Sequence, residues 1–480
     1  MNNHYPRSIV LCTLIALAWF IAPLQAQEKP NILFIFADDH AYDAIGMRDI
    51  VDVKTPNIDR LAQNGTLFTN AYNQGSYSGA VCIASRNMLN TGRFLWNSDR
   101  IHNKADQWRK QGKTWSELMK KAGYETYMTG KWHLKIDAQK SFDHVTHVRP
   151  GMPGDTSDAY NRPQKGKEDT WKPWDKSKGG YWKGGTHWSE VLAQDSKEFL
   201  KHAAGIDKPF FMYLAFNAPH DPRQSPKKYV KSYSLQDVRV PVPFMEKYPY
   251  RKEMQSPWGL RDEKLAPMPR TKYAVKKHRQ EYYAIISHMD RQIGKILNAL
   301  EKTGKADNTI IFFTGDHGLA VGRHGLIGKQ NVFEHSLKVP FIVNGPGVPS
   351  GKRIDSRIYL QDLMPTTLEV AGVQKPDHVQ FKSVAPLIRG ETNQIHESIY
   401  AGYRSGQRAV IKGRFKLILF PKVPKVLLYD LKNDPFETTN LAEKEKYEPV
   451  IDKLFEELLR LQEPTGDSMN LEKKFPDLGT

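Results

Sequence analysis

The chain has 480 residues, 39% of them hydrophobic, enough to bury one large domain and a smaller one, which excludes a disordered or fibrous polypeptide. Its formal charge of +17 favours polyanionic partners, among them sulfated glycans, nucleic acid and anionic lipid. Cysteine occurs only at Cys12 and Cys82, which excludes a disulfide framework.

At the N-terminus, Arg7 precedes an apolar run over 9–22, and a short tail ends at Ala26, a small residue of the kind that signal peptidase cleaves. The run is short for a membrane span and is soon followed by Gln27, Glu28 and Lys29. Residues 1–26 are therefore expected to be a signal peptide, leaving a secreted or periplasmic protein with no stable membrane anchor. Outside the cytoplasm, sulfated polysaccharide is favoured over nucleic acid as the partner. Cys12 leaves with the peptide, so Cys82 survives alone in an oxidising compartment. Such a residue is either a small buried apolar group or one with a special chemical role.

Residues 31–37 form a near-continuous apolar run, the pattern of a strand covered on both faces. A helix is expected over 57–64, with Thr55 as cap, Pro56 in its first turn and Gly65 past its end. Residues 84–90 read as a short helix whose N-terminus faces Cys82, where unpaired N–H groups would favour an oxyanion. Another helix is expected over 115–122, opened by the capping-box pair Thr114 and Glu117 and closed by Gly123. Two irregular stretches, 151–185 and 241–270, read as binding loops or lids, or as mobile surface. In the first, Trp171, Trp174, Tyr181 and Trp182 offer flat faces to sugar rings, or simply pack the loop.

Over 283–300, Ile286, Met289, Ile293, Leu297 and Leu300 recur at helical spacing and predict packing on a sheet. Beyond residue 372, strands are expected at 398–403, 407–411, 415–420 and 426–430, and a helix at 450–461. This predicts an α/β protein with a catalytic domain over 27–372 and a C-terminal subdomain over 373–480, a small antiparallel sheet crossed by a helix.

Four predicted strands end in ionisable clusters. Residues 31–37 lead into Asp38, Asp39 and His40; 124–129 into Lys131 and His133; 210–216 into His220; and 309–314 into Asp316 and His317. Ligands of open parallel sheets bind beyond the carboxyl ends of strands, so these clusters should meet. Adjacent carboxylates repel unless a cation or hydrogen-bond donors neutralise them, and a hard divalent metal does so naturally. A lone aspartate after a strand is more simply a helix cap, but three converging ones are not. A histidine beside them leaves zinc open as the alternative.

The run Cys82, Arg86, Leu89, Thr91, Gly92 and Arg93 resembles the signature of type I sulfatases, with Ala84 where proline is commonest. The resemblance implies an alkaline phosphatase-like fold, a large mixed, mostly parallel sheet between helices. It implies oxidation of Cys82 to formylglycine by a maturation enzyme, and calcium held by Asp38, Asp39, Cys82, Asp316 and His317. Asp316-His317 is similar to iduronate-2-sulfatase and its bacterial relatives. Lys131 and His133 match the family's Gly-Lys-x-His motif, His220 its Ala-Pro-His motif, and Lys329 its downstream lysine, while Arg86 is expected to hold the modified residue. In the implied reaction the formylglycine hydrate attacks sulfur, His220 or Lys329 assists the leaving alcohol, and His133 takes a proton as sulfate departs. Substrate contacts are expected from Arg323, His324, Trp174 and Trp182, and the substrate is expected to be a sulfated oligo- or polysaccharide such as ulvan or a glycosaminoglycan. The competing readings are a phosphoric ester hydrolase of the same superfamily and a non-catalytic acidic-glycan-binding protein.

Overall fold

The computed structural model describes residues 1, 29–149, 151, 156–182 and 184–479. The expected signal peptide, beyond Met1, and Cys12 lie outside them. In chain order the strands are β1 (Asn31–Ala37), β2 (Thr66–Tyr72), β3 (Gly75–Ser76), β4 (Glu125–Lys131), β5 (His144–Arg149), β6 (Tyr181–Trp182), β7 (Thr186–His187) and β8 (Phe210–Ala215). They continue as β9 (Thr309–Gly315), β10 (Lys338–Asn344), β11 (Lys352–Tyr359), β12 (Ser398–Tyr403), β13 (Gln407–Lys412), β14 (Phe415–Phe420) and β15 (Lys425–Asp430).

The large sheet has the order β11-β2-β10-β9-β1-β8-β4-β5. Only β10 runs against its neighbours β9 and β2; every other pairing is parallel. Strands β1, β8 and β9 are buried at every position, as their unbroken apolar sequences require of strands covered on both faces. Side chains of β1 divide by parity. Ile32, Phe34 and Phe36 pack with Trp115 and Tyr213 on one face, whereas Leu33 and Ile35 meet Met289, Ile293 and Leu297 on the other. Each fully buried side chain of this size stabilises the fold by about 1.5–3 kcal/mol.

The last of those residues belong to a helix that spans Lys272–Glu301, eleven residues longer at its start than the apolar spacing indicated. Its first turns bury polar groups against the 151–185 stretch, with Glu281 bonding Arg162 at 2.7 Å, so they carry no apolar stripe to read. The first helix runs Pro56–Gln63, but the Thr55 hydroxyl serves Asp59 and the Gly46 N–H instead of capping it. The Trp115–Lys121 helix forms without its capping box, because Thr114 makes no cap bond and Glu117 turns to Arg109.

A second sheet, β15-β14-β13-β12-β3, is antiparallel except where β3 joins β12 in parallel. The helix Glu448–Thr465 buries Ile451, Leu454, Phe455 and Leu458 in the core of this sheet and closes at Gly466, whose left-handed backbone suits glycine. It overruns the expected 450–461 at both ends. The 241–270 stretch is not mobile surface: Arg270 and Glu263 form a fully buried ion pair, and Arg270 Nε donates to the Gly325 carbonyl at 3.0 Å. Among the described residues no helix is long and apolar enough to cross a membrane.

Candidate active site

Strands β9, β1, β8 and β4 are consecutive neighbours and all parallel, so the segments leaving their carboxyl ends meet in one place. Asp38 and Asp39 follow β1, Asp316 and His317 follow β9, His220 comes after β8, and Lys131 ends β4. Gly130 makes the last of these possible. Its φ is +93°, and a Cβ there would lie 2.0 Å from the Ala215 carbonyl oxygen.

Cys82 and Arg86 enter from the helix Val81–Thr91, where a spacing of four residues puts both side chains on one face. This helix begins earlier than the expected 84–90, so Cys82 lies within its first turn and not in front of it. Arg86 Nε donates to Asp316 Oδ2 at 3.0 Å, its Nη1 to the Lys131 carbonyl at 2.7 Å, and its Nη2 lies 3.6 Å from Asp38 Oδ1. Lys131 pairs with Asp38. Lys329 Nζ reaches both Asp39 oxygens, at 2.5 and 2.6 Å, and the Cys82 sulfur at 3.1 Å. Three carboxylates and three cations are thus buried around one thiol.

Burial pushes the Asp38 carboxyl upward, but Lys131, His220 and Arg86 outweigh it and hold the group well below its ordinary range. Asp316, with burial reinforced by the Asp38 charge, is pushed up to about 7. Burial, together with Asp316 and Asp38, also raises the Cys82 thiol well above its usual value.

A divalent cation fits this donor set. Asp38 Oδ1 is buried with no hydrogen-bond partner, and one ligand atom each from Asp38, Asp39, Cys82 and His220 lies within 4.8 Å of the others. The two carboxylates of the set suit a hard cation. Asp316 and His317 stand outside that group: the Asp316 carboxylate is held by Arg86 and the Asp39 N–H, while His317 donates Nδ1–H to the Gly318 carbonyl at 3.1 Å. That bond leaves Nε2 as the free lone pair, the arrangement typical of a ligating histidine. His40, which follows Asp39 in the loop after β1, turns away to donate to the Ala44 carbonyl.

His220 Nδ1 is fixed by Asp221 Oδ1 at 2.7 Å, leaving Nε2 3.5 Å from Asp39 Oδ2. Asp221 is in turn held by Arg261 and Tyr160. The 241–270 stretch therefore braces the site from behind, and Glu263 also accepts from the Ile327 and Gly328 N–H groups just ahead of Lys329. Asp221 escaped sequence reasoning although it adjoins His220. Asn73 and Ser85, which bond the Asp316 carbonyl, carry no sequence signal. His133, at φ +57°, lines a cavity of ≈ 340 Å³ with Ile83, His102 and Trp132. Asp39 is also left-handed, at φ +65°, and backbone strain of this kind gathers at functional sites.

The expected substrate contacts divide. Arg323 is buried in an ion pair with Asp43, and His324 is buried, bonded to the Glu437 carbonyl and stacked on Phe333, so both are committed to the interior. Trp171 is buried as well. Trp174 packs half-buried beneath Lys227, and Trp182 stands edge-on to Trp188 and His147.

A sulfatase family model matches residues 30–373, and a model of the C-terminal part of N-sulphoglucosamine sulphohydrolase matches 322–464. An arylsulfatase of Clostridium perfringens is 30% identical, over 93% of this chain and 98% of its own. An N-acetylglucosamine-6-O-sulfatase of Bacteroides thetaiotaomicron is 27% identical, over 91% of this chain and 86% of its own. Among solved structures, one in complex with its substrate D-glucosamine-2-N,6-O-disulfate superposes with TM-score 0.72 at 24% identity, covering 93% of this chain and 100% of that one. A phosphonate monoester hydrolase of Agrobacterium radiobacter also gives 0.72, at 23% identity over 91% and 96%, so the fold alone does not choose between sulfur and phosphorus.

Proposed function

Because the chain belongs to the sulfatase family and is accordingly a sulfuric ester hydrolase, we propose that it removes sulfate from a sulfated carbohydrate, in a secreted or periplasmic setting, with formylglycine made from Cys82. The observation that carries this reading is the thiol itself. It is buried among Lys329, Arg86 and Lys131, in a site suited to an oxyanion, with Lys329 Nζ 3.1 Å from its sulfur. The activity of the Bacteroides relative on N-acetylglucosamine 6-sulfate supports a carbohydrate substrate.

Sulfatases generally use formylglycine and a divalent metal, and here calcium is the proposed ion, held by Asp38 and Asp39 with the Cys82 position, and by Asp316 and His317. When bound, the pair supplies an oxygen nucleophile and a Lewis acid. The chain's own residues do the rest. Arg86, Lys131 and Lys329 hold and orient the tetrahedral anion, where preorganised cations in a buried site stabilise developing charge. His220, its Nδ1 locked by Asp221, presents Nε2 as proton donor to the leaving alcohol, and His133 accepts a proton beside the apolar cavity.

The test combines an intact-mass measurement of the Cys82 peptide with rates on an aryl sulfate, an aryl phosphate and sulfated oligosaccharides. Formylglycine and a preference for sulfate are expected. Full sulfatase activity from protein carrying an unmodified thiol would end this reading.

A further inference from the structure

A second cleft, of ≈ 530 Å³, opens where the large sheet meets the small one. It is lined by five cationic side chains, Arg48, Lys338, Arg357, Arg414 and Lys432, against one carboxylate, Glu334. That carboxylate is already taken: it accepts from Lys416 at 3.1 Å and from the Tyr72 hydroxyl at 3.0 Å. Arg414 has Asp430 as partner at 2.7 Å. Arg48, Arg357 and Lys432 have no carboxylate within ion-pair distance among the described residues, and Nε of both Arg48 and Arg357 is buried without a hydrogen-bond partner. Lys338 sits over Tyr42 and Tyr72, 3.7 Å from Glu334 and bonded to Asn70 Oδ1 at 2.8 Å, whereas Arg48 sits over Tyr42 with no carboxylate of its own. Like charges gathered in one cleft repel one another, and an anionic ligand relieves that repulsion.

The cleft lies at the same end of the large sheet as the active site. Lys338, the first residue of β10, pairs with Tyr72, the last of β2, and β10 runs antiparallel to β9, whose carboxyl end carries Asp316. Tyr42 stands three residues after Asp39, so one extended segment of at most about 11 Å joins the two places.

We propose that this cleft binds a second anionic group, a sulfate or carboxylate, of the polyanionic saccharide whose sulfate ester is cleaved at Cys82, an inference that rests on the carbohydrate reading above. Guanidinium groups match tetrahedral and planar oxyanions with paired N–H donors, and Arg48 and Arg357 line the cleft without a carboxylate partner. A ligand anchored here adds remote binding energy that a small aryl ester lacks.

The experiment uses the Arg48→Gln/Arg357→Gln protein. Binding of sulfated tetrasaccharides from carrageenan, ulvan and glycosaminoglycan is titrated on a Cys82→Ala background, and kcat/KM is measured for the tetrasaccharides and an aryl sulfate on the modified enzyme. At least about a tenfold loss in tetrasaccharide affinity and kcat/KM is expected, with aryl sulfate turnover unchanged. Unaltered tetrasaccharide binding, an equal fall on aryl sulfate, or no tetrasaccharide binding before the substitutions would each overturn the proposal. Cleavage of aryl sulfate without turnover of any tetrasaccharide, while binding still depends on Arg48 and Arg357, would instead sink the carbohydrate substrate and leave the anion cleft standing.

Discussion

Replacing Arg323 by alanine separates two roles for the same residue, a contact to sugar or a brace of the fold. Its guanidinium pairs with Asp43, and the two side chains are 6% and 2% exposed. Burial pushes the Asp43 carboxyl upward, but Arg323 and then Arg279 outweigh it and keep the group charged. Removing one member of such a pair leaves an uncompensated buried charge, a loss of about 3–5 kcal/mol. The stacking of Arg323 over Phe436 at 5.6 Å adds roughly 0.5–1 kcal/mol. Urea-induced unfolding at pH 7 should therefore show a midpoint shift worth about 3–5 kcal/mol, and Arg323→Met combined with Asp43→Asn should recover most of it. Activity of the folded fraction should fall alike on sulfated oligosaccharide and aryl sulfate. A stability loss under about 1 kcal/mol, with selective loss of oligosaccharide turnover, would refute the buried-brace argument and return Arg323 to the substrate.

Cys82→Ala should abolish sulfate release, read as turnover of an aryl sulfate, while far-UV circular dichroism stays unchanged. Asp38→Asn should release a stoichiometric calcium, read by elemental analysis, and should remove the stabilisation that added calcium gives the parent protein in thermal melts. Truncating Trp182 to alanine should lower kcat/KM for an oligosaccharide more than for an aryl sulfate if its exposed face meets sugar; an equal effect would mark it as packing against Trp188. His187 is buried, and burial reinforced by the nearby His288 lowers it from 6.5 to about 3. The unfolded chain then binds the proton first, so its contribution is complete above pH 6.5 and is lost as pH falls toward 3. Between pH 4 and 6 the parent should therefore lose up to about 1.4 kcal/mol per pH unit more than His187→Gln, measured by urea unfolding at each pH.

The convergence of the site was legible because four apolar runs each end in ionisable residues, and the geometry of parallel sheets does the rest. Strand order was not legible, since β1 lies between strands that follow it by more than a hundred residues. Arg323 and His324 read as substrate contacts because a charged pair lies just past the Asp316-His317 cluster, and only the structure shows that Asp43 and the Glu437 carbonyl engage them. Asp221 was hidden by the strength of its neighbour: once His220 has a role, the adjacent carboxylate reads as a turn residue. The early turns of the Lys272–Glu301 helix escaped because they bury Arg279 and Glu281, which no apolar period reveals.

The central place of β1 bears on how the protein is made. This strand emerges first among the large sheet's members, yet its two neighbours, β8 and β9, begin at residues 210 and 309. At about 5–20 residues per second, roughly 15–55 s of synthesis separate the strand Asn31–Ala37 from its last partner. For that interval seven residues destined for complete burial, rich in Ile, Leu and Phe, remain on a growing chain with both edges open. A holding chaperone, or export of the chain in an unfolded state, would shield them until the ribosome delivers β9.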